Sequence, residues 1–142
     1  MAGNTYYNEI LTEHNLRPEH KHALPCATCA LHGVNPSCGD NITLQLQIGD
    51  DGRIENGSIV GDGCAISQAS ADMMLDLVIG RTKEEAQRLS SIFMRMIKGE
   101  ASEEEIEELK EASALRDVSH MPSRVKCAIL GWRTLDEALQ KL

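Results

Sequence analysis

The chain has 142 residues, 42% of them apolar, and a formal net charge of −8. This length predicts one domain, residues 1–142, with a substantial core, and the acidic charge argues against a nucleic-acid partner, which would need a basic face. The sequence shows no signal peptide and no apolar run of about 18 residues, so we expect no membrane partner, a cytoplasmic location and five mostly reduced cysteines.

The N-terminal part of the chain predicts little regular structure. Residues 5–14 predict a short helix. Residues 17–40 predict loop, because prolines and glycines recur throughout that stretch.

A small antiparallel sheet is predicted next. Apolar and polar residues alternate over residues 42–48, which is the period of a half-buried strand. The Asp-Asp-Gly turn at residues 50–52 predicts a hairpin into a second strand over residues 54–60. A short third strand is expected to run into Cys64.

Helices are predicted over the rest of the chain. Residues 67–79 are apolar on nearly all sides and are followed by Gly80, which predicts a buried helix. Thr82 and Glu85 form a capping box ahead of a second helix with one apolar stripe. Four methionines at helical positions are expected in the core and not at a metal: Met73, Met74, Met94 and Met96.

The last third of the chain predicts an acidic helix and a C-terminal helix. Ser102 and Glu105 open the acidic helix, which we expect to be a solvated face or a partner-docking surface. An apolar stripe after Pro122 predicts the C-terminal helix. Strands followed by helices predict an α+β fold, in which helices pack on one face of a small antiparallel sheet of about three strands.

Three thiols and one carboxylate stand at the ends of these elements. Cys38 precedes the first predicted strand, Cys64 lies between sheet and helix, and Cys127 lies in the first turn of the last helix. Asp40 follows Cys38 by two residues, so both side chains share one side of an extended chain. This set suits tetrahedral Zn²⁺ or an iron–sulfur cluster. Spacing alone leaves three separate buried thiols as an equal alternative, with Asp40 an ordinary turn residue.

Three motifs carry a family resemblance. The stretches NPSCGD, GDGCAISQASADMM and RVKCAILGWRTL, together with the N-terminal YYNEILTEHNLRPEHK, resemble the IscU/SufU/NifU-N family of iron–sulfur cluster assembly proteins over nearly the whole chain. An acidic insertion at about residues 100–119 and Lys126 before Cys127 are similar to the SufU branch. The resemblance implies an α+β fold with a small antiparallel sheet, as the patterns above also predict.

The resemblance also implies a role in sulfur handling. It implies zinc bound by Cys38, Asp40, Cys64 and Cys127, and sulfur accepted as persulfide from a pyridoxal-phosphate cysteine desulfurase and passed to downstream iron–sulfur assembly proteins. The alternatives are a scaffold on which a [2Fe-2S] cluster is built with iron, and a purely structural zinc domain.

Within this site, two residues have a predicted catalytic part. We expect Cys38 to carry the persulfide, because its loop between Pro36 and Gly39 is the most mobile of the three thiol positions and the resemblance implies the same. Arg124 is expected to offset the negative charge of the site, or else to be an ordinary exposed residue of the helix.

Cys26 and Cys29 form a Cys-x-x-Cys pair that the family pattern does not explain. The alternatives are two loop thiols without assigned chemistry, a second metal half-site with His32, and a reversible disulfide.

Overall fold

The sheet contains three antiparallel strands in the part of the chain that the structure describes. This computed structural model describes residues 9, 10, 13, 27–35 and 39–141. The strands are β1 (Cys29–Asn35), β2 (Asp40–Ile48) and β3 (Ile54–Asp62), in the spatial order β1-β2-β3. The central strand therefore pairs on both sides.

One face of the sheet is buried. Along β2, Asp40, Ile42, Leu44 and Leu46 are buried at alternating positions, which confirms the predicted half-buried strand. Asp40 continues the row of core-facing residues at the end of the strand. A carboxylate is thereby built into the inner face of the sheet.

The hairpin between β2 and β3 is the one predicted at residues 50–52. Gly49 N–H donates to the Arg53 carbonyl oxygen at 2.8 Å, and Gly52 has a positive φ of 82°. The prediction of a separate third strand running into Cys64 is wrong. Instead, β3 continues without a break to Asp62, opposite Asn41.

The prediction of loop over residues 17–40 is wrong for β1. Gly33 resembles a turn signal in the sequence, yet it lies within the strand. A Cβ at this position would clash with the Thr134 side chain and would lie 3.4 Å from Leu130 Cδ1. Close packing of a helix against β1 therefore explains the glycine. The predicted helix at residues 5–14 lies largely outside the described residues, although Glu9, Ile10 and Glu13 are helical.

The helices follow the sheet, as predicted. They are α1 (Ala65–Val78), α2 (Lys83–Ile97), α3 (Glu103–Glu108) and α4 (Pro122–Gln140), with a 3-10 helix (Lys110–His120) between α3 and α4. Both predicted capping boxes are present, at Thr82 with Glu85 and at Ser102 with Glu105. Met73, Met74 and Met96 are buried in the core, and Met94 packs against it, as expected.

Helices α1 and α4 pack against each other and against the inner face of the sheet. A Cβ at Gly131 of α4 would lie 3.0 Å from Ala71 Cβ of α1, so the glycine permits close approach of the two helices. Ser70 donates to the Ala128 carbonyl oxygen at 2.6 Å and accepts from Trp132 Nε1 at 3.2 Å. The predicted α+β fold is confirmed. None of the described helices has the length and apolar character to cross a membrane.

Candidate metal site

Three of the four predicted ligands converge at one end of the sheet. The ligand atoms of Asp40, Cys64 and Cys127 all lie within 4.8 Å of one another. The fourth predicted ligand, Cys38, lies outside the described residues. A carboxylate and two thiols at this separation are donors that Zn²⁺ or iron accepts.

Each ligand is positioned by a different element. Asp40 begins β2, and Cys64 is the N-cap of α1, just after β3 ends beside the start of β2. Cys127 lies in the second turn of α4 and not the first, because the helix already begins at Pro122. Two strand ends and two helices therefore meet at the site.

Cys64 is connected to Asp40 through its backbone as well as its thiol. Its N–H donates to Asp40 Oδ1 at 2.7 Å, and its Sγ lies 4.0 Å from Asp40 Oδ2. The Sγ also accepts from the Ser67 N–H at 3.4 Å, as an N-cap side chain does. Cys64 therefore lies at the N-terminus of α1, with its sulfur directed towards the first turn of the helix.

Asp40 is fully buried, and burial raises the pKa of its carboxyl. Hydrogen bonds from the Cys64 N–H and from the side chains of Asn35, Cys127 and Ser67 lower that pKa, and together they outweigh burial, so the pKa lies below its ordinary value. All of these donors are neutral groups. The carboxylate is thus kept ionised, as a metal ligand must be.

Cys127 is also fully buried, and a neighbouring amide contacts its sulfur. Asn35, the last residue of β1, directs its Nδ2 to Cys127 Sγ at 3.6 Å and to Asp40 Oδ2 at 3.1 Å. The same Asn35 is the strand partner of Asp40 across the hairpin whose loop contains Cys38. Of the two residues in this pair, Asp40 is itself a ligand, and Asn35 contacts a second ligand, Cys127.

Space at the site depends on Gly63. A Cβ at this position would lie 2.5 Å from Ser67 Oγ, 2.8 Å from Asp40 Oδ1 and 2.9 Å from Gln68 Nε2. Gln68 Nε2 is buried and has no hydrogen-bond partner among the described residues. Only glycine lets these three side chains pack against the backbone at residue 63. The carboxylate and two thiols beside it are the donor set that fits a bound metal ion.

Arg124 lies three residues before Cys127 in the first turn of α4, and it is exposed, as is Lys126. Residues three apart share a helix face, so Arg124 stands at the solvent side of the Cys127 position. Its predicted effect on the charge of the site stays a prediction.

The second cysteine pair is only partly described. Cys29 packs against the core, whereas His32 faces the opposite side of β1, where its Nδ1 lies 3.2 Å from Thr43 Oγ1. Strand residues three apart point to opposite faces, so Cys29 and His32 lie on opposite sides of β1. The second metal half-site of Cys26 and Cys29 with His32 stays a prediction. Cys26 lies outside the described residues, so a disulfide with Cys29 stays a prediction.

Asn35 and Ser67 were not predicted as site residues. Ser67 Oγ donates to Asp40 Oδ1 at 3.2 Å. Both residues stand within the motifs around Cys38 and Cys64, and Ser67 occupies the third helical position after an N-cap. The only signal in the sequence that could have indicated a site role for Ser67 was its position three residues after Cys64, at the start of a helix.

Comparison with known proteins relates this site to a family. The family model described as NifU-like N terminal domain matches residues 6–142. The iron–sulfur cluster assembly scaffold protein IscU of Thermotoga maritima is 40% identical over 100% of this chain and 98% of its own length. The zinc-dependent sulfurtransferase SufU of Bacillus subtilis is 35% identical over 96% of this chain and 91% of its own length.

A solved structure shows the same fold. The crystal structure of an iron–sulfur cluster assembly scaffold protein for the SUF system from Fervidobacterium islandicum AW-1 matches with a TM-score of 0.87 and 34% identity, covering 95% of this chain and 97% of that one.

Proposed function

The chain belongs to the family of NifU-like N-terminal domains, and we propose on that basis that it is an iron–sulfur cluster assembly protein that binds zinc and accepts persulfide sulfur from a cysteine desulfurase. The observation that carries the proposal is the convergence of Asp40, Cys64 and Cys127 within 4.8 Å. A relative of similar length is named a zinc-dependent sulfurtransferase, which supports zinc as the metal.

The proposed zinc ligands are Cys38, Asp40, Cys64 and Cys127. Zinc would supply a positive centre that keeps the thiols ionised near neutral pH. Asp40 is held ionised by its four donors, and the Cys64 sulfur accepts a hydrogen bond from the Ser67 N–H at the start of α1. Cys38 lies in the sequence between Asn35 and Asp40, which pair across β1 and β2 at this end of the sheet, and this supports Cys38 as the fourth ligand.

In the proposed reaction, Cys38 receives the sulfur. Its thiolate attacks the outer sulfur of the persulfide on the desulfurase, a new S–S bond forms on Cys38, and the S–S bond of the donor breaks, so that the donor cysteine leaves as a thiolate. No external oxidant or reductant is needed. Asp40 and Cys127 are buried and Cys64 caps a helix, so these three ligands are held in place, which supports Cys38 as the sulfur acceptor. Arg124 would attract the anionic persulfide.

A scaffold for a [2Fe-2S] cluster is the second candidate. Two relatives that are each 40% identical to this chain are named iron–sulfur cluster assembly scaffold proteins. In that case, iron and sulfide would be cargo assembled on the same four residues. Downstream iron–sulfur assembly proteins would be partners in either case.

Metal analysis with absorption spectroscopy separates the two candidates. We expect the purified protein to be colourless, with about one zinc per chain. A brown protein with sulfide-to-iron charge-transfer bands and no zinc would support the scaffold instead. We also expect turnover of the desulfurase to rise when this protein is added, and unchanged turnover under reducing conditions would contradict the sulfur-acceptor role.

Peptide mass spectrometry after alkylation locates the transferred sulfur. After mixing with desulfurase and cysteine, the additional sulfur should be on Cys38 and should be lost in Cys38→Ala. Cys29→Ala, which removes a half-buried thiol outside the site, is the matched control and should still accept sulfur. Sulfur found on Cys26 or Cys29, with Cys38→Ala still active, would overturn the assignment.

A further inference from the structure

Asn35 contacts two of the three described ligands with one nitrogen. The residue is only 5% exposed, and its Nδ2 lies 3.1 Å from Asp40 Oδ2 and 3.6 Å from Cys127 Sγ. A side-chain amide has two N–H groups, so one can be donated to the carboxylate and the other to the sulfur at the same time. This geometry fixes the separation of the two ligands.

The hydrogen bonds of Asp40 are divided between its two carboxylate oxygens. Oδ1 accepts from the Cys64 N–H at 2.7 Å and from Ser67 Oγ at 3.2 Å, so both of its lone-pair directions are used. Oδ2 lies 4.0 Å from Cys64 Sγ and accepts the Asn35 amide. Asn35 therefore positions Oδ2, the Asp40 oxygen that lies near the Cys64 sulfur.

The side chain at residue 35 must be neutral and must donate. A carboxylate here would repel Asp40 in a buried space, and a basic side chain would compete with the metal for the ligands. An amide offers two donors without a net charge. Hydrogen bonds of this kind orient the ligands of a metal and adjust how strongly they bind it.

We propose that Asn35 is a positioning residue whose amide holds Asp40 and Cys127 together as the two ligands retained when another ligand leaves the metal. This inference rests on the proposed function for its role in sulfur transfer, but the effect on metal binding does not require that transfer. Asn35 also closes the hairpin that contains Cys38, since it pairs with Asp40 across the two strands. This strand pairing and the amide contacts both hold Asn35 next to Asp40.

The main test compares Asn35→Leu with Asn41→Leu. Leucine keeps the size of the side chain and removes both donors, while Asn41 is exposed and follows Asp40 directly in β2. We expect Asn35→Leu to lower zinc affinity by about 10- to 100-fold and Asn41→Leu to leave it unchanged. With Co²⁺ in place of zinc, the thiolate-to-metal charge-transfer band should move to lower energy only in Asn35→Leu, because the Cys127 sulfur loses a donor.

Unfolding of the metal-free protein distinguishes positioning from a general structural role. A positioning residue lowers the thermal midpoint of the zinc-loaded protein more than that of the metal-free protein, whereas a merely structural residue lowers both equally. Asn35→Ser, which is smaller and more easily accommodated, should change affinity and spectrum in the same direction if Asn35→Leu does not fold. The proposal would be overturned if Asn35→Leu and Asn35→Ser lowered the thermal midpoint equally with and without zinc. It would also be overturned if the cobalt band were unchanged in both of these variants.

The retained pair is tested by removing the ligand on the loop. Cys38→Ala should still bind zinc, with reduced affinity, and adding Asn35→Leu to it should lower that affinity by a further factor of about ten or more. The proposal would be overturned if Cys38→Ala and the double variant Cys38→Ala, Asn35→Leu bound zinc with the same affinity. If Asn35 variants lose zinc as expected while the parent protein does not stimulate desulfurase, the positioning role stands and the sulfur-acceptor function fails.

Discussion

The metal site has one carboxylate and the acidic insertion (residues 100–119) has many, and the two regions stabilise their carboxylates in different ways. At the site, Asp40 is fully buried and accepts from neutral donors. In the insertion, two exposed glutamates and the half-buried Glu105 form salt bridges with arginines: Glu103 with Arg116, Glu105 with Arg95 and Glu108 with Arg88. The carboxylate of the site is therefore stabilised by neutral hydrogen-bond donors, whereas three carboxylates of the insertion are paired with arginines, two of them from α2.

The three salt bridges of the insertion are each bidentate. Two of them attach α3 to α2, and the third joins α3 to the 3-10 helix. The hydrogen bond from Arg95 is the main cause that lowers the pKa of Glu105, to about 2. These contacts hold the insertion in place independently of the metal, so the two regions should respond to different treatments.

The largest expected effect is removal of zinc. At a free zinc concentration about 1,000 times Kd, binding stabilises the native state by about 4 kcal/mol, which corresponds to roughly 10 °C in the thermal midpoint for a chain of this size. We expect a chelator to lower the midpoint of the parent protein by this order. In Asp40→Asn, a poorer ligand of the same shape, the midpoint should hardly depend on zinc.

Glu103→Gln is the matched control in the insertion, because it removes a carboxylate that pairs with Arg116 at the surface. The zinc-dependent shift should be fully retained in this variant. A shift that is equally reduced in Glu103→Gln and Asp40→Asn would show that the two regions are not independent, and would contradict the comparison.

A pair of glycine variants gives the next largest effect. In Gly63→Ala, the new Cβ would meet Ser67 Oγ, Asp40 Oδ1 and Gln68 Nε2 at 2.5 to 2.9 Å, so the ligands must shift. We expect a loss of zinc affinity of about tenfold or more, measured by competition with a chelator. Unchanged affinity would mean that the close packing at Gly63 does not position Asp40 for the metal.

Gly99→Ala is the counterpart at the start of the insertion. Gly99 has a positive φ of 75° and open space around its Cβ position, so the cost is backbone strain of about 1–2 kcal/mol and not a clash. The thermal midpoint should fall while zinc affinity stays the same. A loss of affinity here would indicate coupling between the insertion and the site.

The sequence predicted the helices better than the sheet, because the signals of helices are local. The capping boxes at Thr82 and Ser102 each lie within four consecutive residues, and both are present as predicted. Strand β1 was missed because Gly33 is required by a contact with Thr134, which is distant in the sequence. No local pattern reports such a contact.

The site was predictable only in part, for the same reason. The motifs indicated Asp40, Cys64 and Cys127, and the structure brings these three together. The position of Asn35 beside Cys127 depends on packing between β1 and α4, which spacing along the chain does not encode. The acidic helix was predicted as one helix, but regular α-helix ends at Glu108 and a 3-10 helix follows.

A smaller effect is expected from Glu105→Gln in the insertion. Glu105 accepts from Arg95 and also from the Ser102 backbone N–H, at 3.1 Å, so the variant loses a salt bridge and weakens the helix cap. We expect faster hydrogen exchange of the α3 amides, with a smaller change in the thermal midpoint than either glycine variant causes and with unchanged zinc affinity. Exchange in α3 as slow as in the parent would show that Arg95 and Glu105 do not hold this segment.

The smallest effect is a local response of the insertion to acid. The folded pKa values of Glu103, Glu105 and Glu108 are lowered, chiefly by hydrogen bonds from their arginines. A lowered folded pKa stabilises the folded form above the unfolded pKa, and this contribution is lost as pH falls through the folded value. For Glu105 the loss should extend from about pH 4.5 down to about pH 2.

Hydrogen exchange of α3 in the metal-free protein measures this response without interference from zinc release. Protection corrected for intrinsic exchange should be constant from about pH 7 to about pH 5 and should then decline towards about pH 2. In Glu105→Gln, the part of the decline due to Glu105 should be absent, because glutamine does not titrate. A decline that is complete above about pH 5 would contradict the lowered pKa values, and would mean that the salt bridges form too rarely in solution to hold the insertion against α2.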